Sequence, residues 1–261
     1  MSIPKVIHYC WFGNKAIPKR LQYCIQSWKQ LLPDYTFKLW NETNTEFDCE
    51  FIRTAYAAKK WAFVADYVRI KAVYDFGGIY MDTDMLLLKS LDDFLDNKCF
   101  FVAEHSLSIG SCIFGATKHN LFIKLCLNTY HAEEVVLSTS PKRVTNTYLK
   151  TYNAQKDFKE NIRVDGLTIY KPAYFYALPY QKLYDIHQYK KYLTEASYGV
   201  HLWEGSWHTY SELVLLRRKE YNKALKKIGD TIFKEKKLSL AYLRKVMVAL
   251  RDSLRTKDAF K

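Results

Sequence analysis

The chain has 261 residues, 49% of them hydrophobic and 26% charged, the balance of an ordinary folded globule. Collagen-like, low-complexity and disordered classes are excluded by that balance, and the length favours one sizeable α/β domain. Forty Lys and Arg against 27 Asp and Glu leave a net charge of +13, which points to an anionic partner: nucleic acid, an acidic membrane surface or a phosphorylated substrate.

The opening residues Met1 to His8 carry no basic segment followed by an apolar core, so they do not read as a secretory signal. No run of about 18 apolar residues is present. The six cysteines form no CxxC pair and no Cys/His zinc spacing. These features read as a cytosolic protein with reduced thiols.

Taken in chain order, Lys5 to Phe12 is an apolar run of strand length closed by Gly13. From Pro18 a helical pattern places Leu21, Cys24, Ile25, Trp28 and Leu32 on one face before Pro33 stops it. Tyr35 to Trp40 reads as a strand, followed by helices over Phe51 to Lys59 and Ala62 to Phe76. Gly77-Gly78 ends the latter. Ile79 to Leu88 then reads as two short apolar strands separated by Asp82-Thr83-Asp84. Further strands are expected near 99–103, 111–115, 162–164, 168–170 and 198–202, with helices near 119–130 and 141–152. Strands alternating with helices predict a mostly parallel sheet covered by helices.

The composition changes after residue 210. From Ser211 onward 15 basic residues face 6 acidic ones, a net +9 in 51 residues. Leu240, Leu243, Met247, Leu250 and Leu254 recur at heptad-like spacing, with Arg244, Lys245, Arg251 and Arg255 off that face. The segment therefore reads as a basic amphipathic helix, which packs on the core or docks on an anionic membrane.

Asp82 and Asp84 carry the chemistry. Two carboxylates one residue apart at a strand end can share a divalent cation that neutralises a diphosphate. Such a pair arises about once by chance in a chain of this length, so its surroundings decide. Two of only nine glycines lie just before the strand that delivers the pair. Asp66 and Arg69, three apart, share a helix face, either as a surface ion pair or as a sugar- and phosphate-binding couple.

Five ordered blocks resemble family 32 glycosyltransferases, the group with a DXD sugar-binding region. They are Ile7 to Gly13, Cys24 to Asn41, Ala62 to Arg69, Gly77 to Asp84, and His201 to Trp207. The resemblance implies a GT-A-type, Rossmann-like nucleotide-sugar-binding domain with a central mixed, mostly parallel sheet. That domain would span 1–210, with the helical extension at 211–261. It also implies a retaining transfer of a hexose from a nucleotide-diphosphate sugar to a saccharide acceptor, with Mn²⁺ or Mg²⁺ as cofactor. By the same resemblance Trp11 stacks on the nucleobase, Asp66 and Arg69 contact the donor sugar, and His8 and Tyr80 belong to the donor site. Asp82, Asp84 and His201 hold the metal, and Ser206 and Trp207 lie by the diphosphate.

Glu204 interrupts the closing block and competes with His201 and Ser206 for the third metal position. Bacterial capsule enzymes of this kind suggest UDP-galactose or UDP-glucose as donor, with GDP-mannose as the alternative, and a lipid-linked acceptor at the inner membrane face. The loop and strand over 105–115 and the aromatic stretch Tyr170 to Tyr184 are the expected acceptor-side segments. The rival classes are a basic nucleic-acid-binding protein, against which stands the absence of any RRM, KH or zinc-finger pattern, and a metal-dependent phosphohydrolase or nucleotidyltransferase.

Overall fold

A computed structural model describes residues 2–131, 137–205, 210–234 and 238–260. The chain forms two compact units, Met1–Ala177 with Thr194–His201, and Leu178–Leu193 with Leu202–Lys261.

The first unit is built on seven strands: β1 (Val6–Cys10), β2 (Thr36–Trp40), β3 (Gly78–Met81), β5 (Cys99–His105), β6 (Ser108–Ala116), β7 (Ile162–Val164) and β8 (Leu167–Tyr170). Their order across the sheet is β2-β1-β3-β6-β5-β8-β7. Two further strands, β4 (Met85–Leu87) and β9 (Gly199–His201), form a separate antiparallel pair.

The mixed central sheet matches the expectation, but it is not mostly parallel. The β1–β2, β1–β3 and β5–β8 ladders are parallel, while β3–β6, β5–β6 and β7–β8 are antiparallel. Two tight hairpins account for the difference. Asp165 and Gly166, between β7 and β8, have φ of 46° and 80°, as a two-residue primed turn requires, and Asp-Gly is a standard signal for one. The other hairpin extends β6 to nine residues, so the segment expected to contain a loop at 105–115 is mostly strand.

Helices α1 (Lys19–Leu31), α2 (Glu50–Ala57), α3 (Trp61–Phe76), α4 (Leu121–Asn128) and α5 (Ser140–Tyr152) complete this unit. The predicted α1 face is the buried one: Leu21, Cys24, Ile25 and Trp28. α3 is buried nearly all round, through Val64, Asp66, Tyr67, Val68, Arg69, Ile70, Ala72 and Val73. A helix with no solvent face is central to its domain, and α3 carries two of the predicted site residues.

The second unit holds a 3₁₀ segment (Tyr180–Tyr192) and the helices α6 (Glu212–Arg217), α7 (Tyr221–Gly229) and α8 (Leu240–Arg255). Its small core gathers Leu215, Leu216, Ala224 and Ala249.

Candidate functional site

The turn that carries Asp82 and Asp84 is held by backbone on both sides. α3 is stopped by Gly77 and Gly78, whose φ of 67° and 104° are closed to most side chains. A Cβ on Gly78 would also lie 2.7 Å from Val6 O, so the tight path from α3 into β3 needs glycine. At the far end of β3, Asp82 N donates to Cys112 O at 2.7 Å, and Met85 N donates to Asp82 O at 2.9 Å to close the turn. The chain then enters β4, in the other sheet. α1 clamps this strand: Trp28 Nε1 donates to Met85 O at 2.6 Å, and Leu87 N donates to Ser27 Oγ at 3.0 Å.

On its other edge β4 pairs with β9 in the register Met85↔His201. That register brings a residue more than a hundred positions away to the carboxylate turn. His201 Nε2 lies 3.2 Å from Asp84 Oδ2, and both side chains are about nine-tenths buried. One ligand atom each from Asp82, Asp84 and His201 fall within 4.8 Å of one another. Two carboxylates and an imidazole suit a small divalent cation, and the nitrogen donor favours Mn²⁺ over Mg²⁺. The donor set therefore fits the implied metal.

Burial sets the electrostatics of the cluster. Burial raises the pKa of Asp82, against the pull of Arg69, and the neighbouring Asp84 raises it further. Burial disfavours the charged form of His201, but Asp84, Asp82 and Glu104 together hold its pKa above the ordinary 6.5.

Asp66 and Arg69 are not a surface pair; they are 7% and 5% exposed. Arg69 Nη2 lies 3.4 Å from Asp66 Oδ1 and 3.1 Å from Asp82 Oδ1, while Nη1 donates to Ser111 O at 2.9 Å. Tyr80 OH donates to Asp82 Oδ1 at 2.7 Å, and its ring lies under the guanidinium at 4.7 Å. Asp66 also accepts from Ser140 N at 3.0 Å, at the start of α5. Burial pushes the Asp66 carboxyl up to about 6, against the opposing pull of Arg69. The structure thus brings Asp66, Arg69, Tyr80, Asp82, Asp84 and His201 into one connected set.

Other predicted residues lie elsewhere or are differently engaged. His8 is fully buried with both ring nitrogens in use. Trp40 Nε1 donates to Nδ1 at 3.1 Å, so Nε2–H is the donor to Gly77 O at 2.8 Å. Trp11 is half-buried, and its indole N–H donates to Lys15 O at 2.5 Å. Glu204 meets Arg218 Nη2 at 2.6 Å within the second unit. Ser206 and Trp207 lie outside the described residues. In the aromatic stretch, Tyr170, Phe175 and Tyr176 are core residues, whereas Tyr180 is 42% exposed.

Two residues were missed in the sequence. Ser111 anchors Arg69, and nothing in its local pattern marks it. Glu104 sits on β5, mostly buried, its carboxyl raised by burial and drawn down by His201 and His105. A charged residue closing the run Cys99-Phe-Phe-Val-Ala was the available signal.

Residues 18–101 match the family described as "Glycosyltransferase sugar-binding region containing DXD motif", and residues 115–227 match "Alpha 1,4-glycosyltransferase conserved region". Both matches bear out the resemblance to glycosyltransferases with a DXD sugar-binding region. A human protein named alpha-1,4-N-acetylglucosaminyltransferase is 25% identical over 185 residues, covering 67% of this chain and 50% of that protein. Inositol phosphoceramide mannosyltransferase 3 of Schizosaccharomyces pombe is 32% identical over 127 residues, covering 47% and 35%. The chain spans half or less of the length of these curated relatives. Among solved structures, the PaToxG glycosyltransferase is similar at a TM-score of 0.48 and 18% identity, covering 58% of this chain and 71% of that one.

Proposed function

We propose that this protein is a metal-dependent, retaining glycosyltransferase of GT-A type. It moves a hexose from a nucleotide-diphosphate sugar to a hydroxyl of a saccharide acceptor. The observation that carries this reading is the Asp82–Asp84–His201 cluster, assembled from a turn and a strand that the second sheet joins. The two glycosyltransferase family matches support it.

Asp82, Asp84 and His201 would hold the cation. When bound, it supplies positive charge against the negative charge that builds on the departing diphosphate. Arg69 and Tyr80 orient Asp82 by bonding its oxygens, leaving a carboxylate of fixed direction at the turn. Asp66 is held by Arg69 and Ser140 N as a candidate partner for sugar hydroxyls. Trp11, Ser206 and Trp207 keep the donor-side roles that the family resemblance assigns them. Residues 1–210 are the proposed catalytic domain, with 211–261 as its extension.

UDP-galactose or UDP-glucose is the proposed donor. The wording of the second family match and the name of the human relative favour an α-1,4 linkage. The acceptor is proposed to be a lipid-linked saccharide in capsule or surface polysaccharide synthesis, reached from the cytoplasmic side.

The test is calorimetric binding of UDP and of GDP, each with and without Mn²⁺, to wild type and Asp84→Asn. Metal-dependent binding of one nucleotide, lost in the variant, is expected, followed by turnover of a sugar nucleotide on that base. A folded protein that binds neither nucleotide overturns the reading.

A further inference from the structure

Helix α8 exposes its leucines instead of burying them. Leu240, Leu243, Met247, Leu250 and Leu254 are 87%, 38%, 70%, 38% and 69% exposed. Its inward side is made of small residues, Ala249 and Ser253, with Val246 packed against the core of Leu215, Leu216 and Ala224. Polar bonds lock that side in place. Tyr221 OH meets Ser253 Oγ at 2.8 Å, and Lys219 Nζ donates to Ser253 O at 2.5 Å. The orientation of α8 within its unit is therefore set by the small-residue side.

At about 100° per residue, the five exposed apolar residues fill an arc of about 80°. The buried residues centre about 100° to one side of that arc. Arg244, Arg251 and Arg255, all exposed, fall within an arc of about 40° on its other side. Around the helix the order is buried face, apolar stripe, arginine row. Asp252, the one acid on α8, lies about 160° from the stripe. Leu238 and Phe233, just before the helix, are also 57% and 81% exposed.

A contiguous apolar stripe in water marks an interaction surface, unlike single exposed leucines. The charge beside it selects the occupant. Residues 211–261 carry +9 of the total +13. No residue of the stripe or the arginine row is itself acidic, and among the described residues the one ion pair on that row is Arg251 Nη2 with Asp252 Oδ1 at 3.4 Å, exposed on both sides. No helix of the described residues is long and apolar enough to cross a membrane. A helix of this length and asymmetry lies in an interface, its leucines at the acyl boundary and its arginines reaching the phosphates.

We propose that the Leu240–Leu254 face of α8 docks the protein on an anionic lipid bilayer. The stripe enters the headgroup region, and Arg244, Arg251 and Arg255 engage lipid phosphates. Docking needs neither metal nor nucleotide sugar, so it stands or falls apart from glycosyl transfer.

The experiment is co-sedimentation of the full chain with phosphatidylcholine vesicles, with and without about one third phosphatidylglycerol. Wild type is expected to pellet with the anionic vesicles and to be released by salt. Met247→Glu with Leu254→Glu is expected to stay in the supernatant while keeping the wild-type circular dichroism and melting transition. Arg244→Ser, Arg251→Ser and Arg255→Ser combined should weaken partitioning by roughly a hundredfold, since each near-surface arginine is worth about 1 kcal/mol. The proposal is overturned if wild type ignores anionic vesicles, or if the Met247/Leu254 variant binds them as wild type does. It is also overturned if light scattering shows a dimer that the same variant dissociates, with no vesicle binding by either. Retention of wild type on duplex DNA that the triple-arginine variant loses, again without vesicle binding, would overturn the proposal and assign the basic face to nucleic acid instead.

Discussion

Arg69 faces both oxygens of Asp82: Nη2 lies 3.1 Å from Oδ1 and Nη1 lies 3.3 Å from Oδ2. The same guanidinium reaches Asp66 Oδ1 at 3.4 Å and Ser111 O at 2.9 Å. One planar, permanently charged group thus ties α3, β6 and the carboxylate turn together. Replacing it by Gln leaves two buried carboxylates without their cation, a loss of about 3–5 kcal/mol. Arg69→Lys keeps the charge but not the fork, so it should recover only part of that stability. Denaturant unfolding of the three proteins checks the order; equal stability of the Gln variant and wild type would count against the network.

Metal affinity can be read without any nucleotide. His201→Gln removes one of three candidate donors, and Tyr80→Phe removes the hydroxyl that orients Asp82. Loss of an outer partner typically weakens metal binding by about 10–100-fold, so Tyr80→Phe should fall in that range and His201→Gln at least as far. Titration of Mn²⁺ alone, followed by paramagnetic resonance of the free ion, measures both. Chelation should abolish nucleotide binding in wild type and change nothing in Asp84→Asn.

Acid stability should show two opposed contributions. Burial lowers the pKa of His8 from 6.5 to about 4, so between these values the unfolded chain binds the extra proton and acidification destabilises the fold. The cost is about 3 kcal/mol once pH reaches 4. Asp66 runs the other way. Its carboxyl rises from 3.8 to about 6, so the folded chain holds the extra proton there and stability falls as pH rises through that window, again by about 3 kcal/mol. The two slopes oppose each other between pH 4 and 6. Asp66→Asn removes the second, so its stability should climb from pH 4 to 6.5 more steeply than that of wild type. His8→Gln should instead lose stability over the same interval. Urea unfolding at several pH values separates the cases, and parallel pH profiles for all three proteins would refute the assignment.

Much of the fold was legible because local rules agreed with tertiary demand. The α1 stripe, the glycine stop after α3 and the two short strands around Asp82-Thr83-Asp84 all stand where periodicity and breaker residues put them. The parallel bias was misjudged, although Asp165-Gly166 announced one antiparallel hairpin in two residues. The other hairpin reverses through Ser106 and Leu107, which carry no strong turn signal.

What the sequence by itself determined is the chemical inventory and its local geometry: a carboxylate pair on a glycine-led strand, Asp66 and Arg69 one helical turn apart, and a basic amphipathic terminus. These follow from the 2.0 and 3.6 residue periods of strand and helix, which act over a few residues. Only the tertiary structure decided which groups meet and which face water. His201 joins Asp84 through the register of β4 on β9, and Ser111 reaches Arg69 from β6. Burial on every side of α3 turns a pair that its spacing alone left open to solvent into a buried network, while His8 is taken into the core by Trp40 and Gly77. For α8, periodicity defined an apolar stripe but not its side. The small residues Ala249 and Ser253, packed closely against their unit, turned that stripe outward.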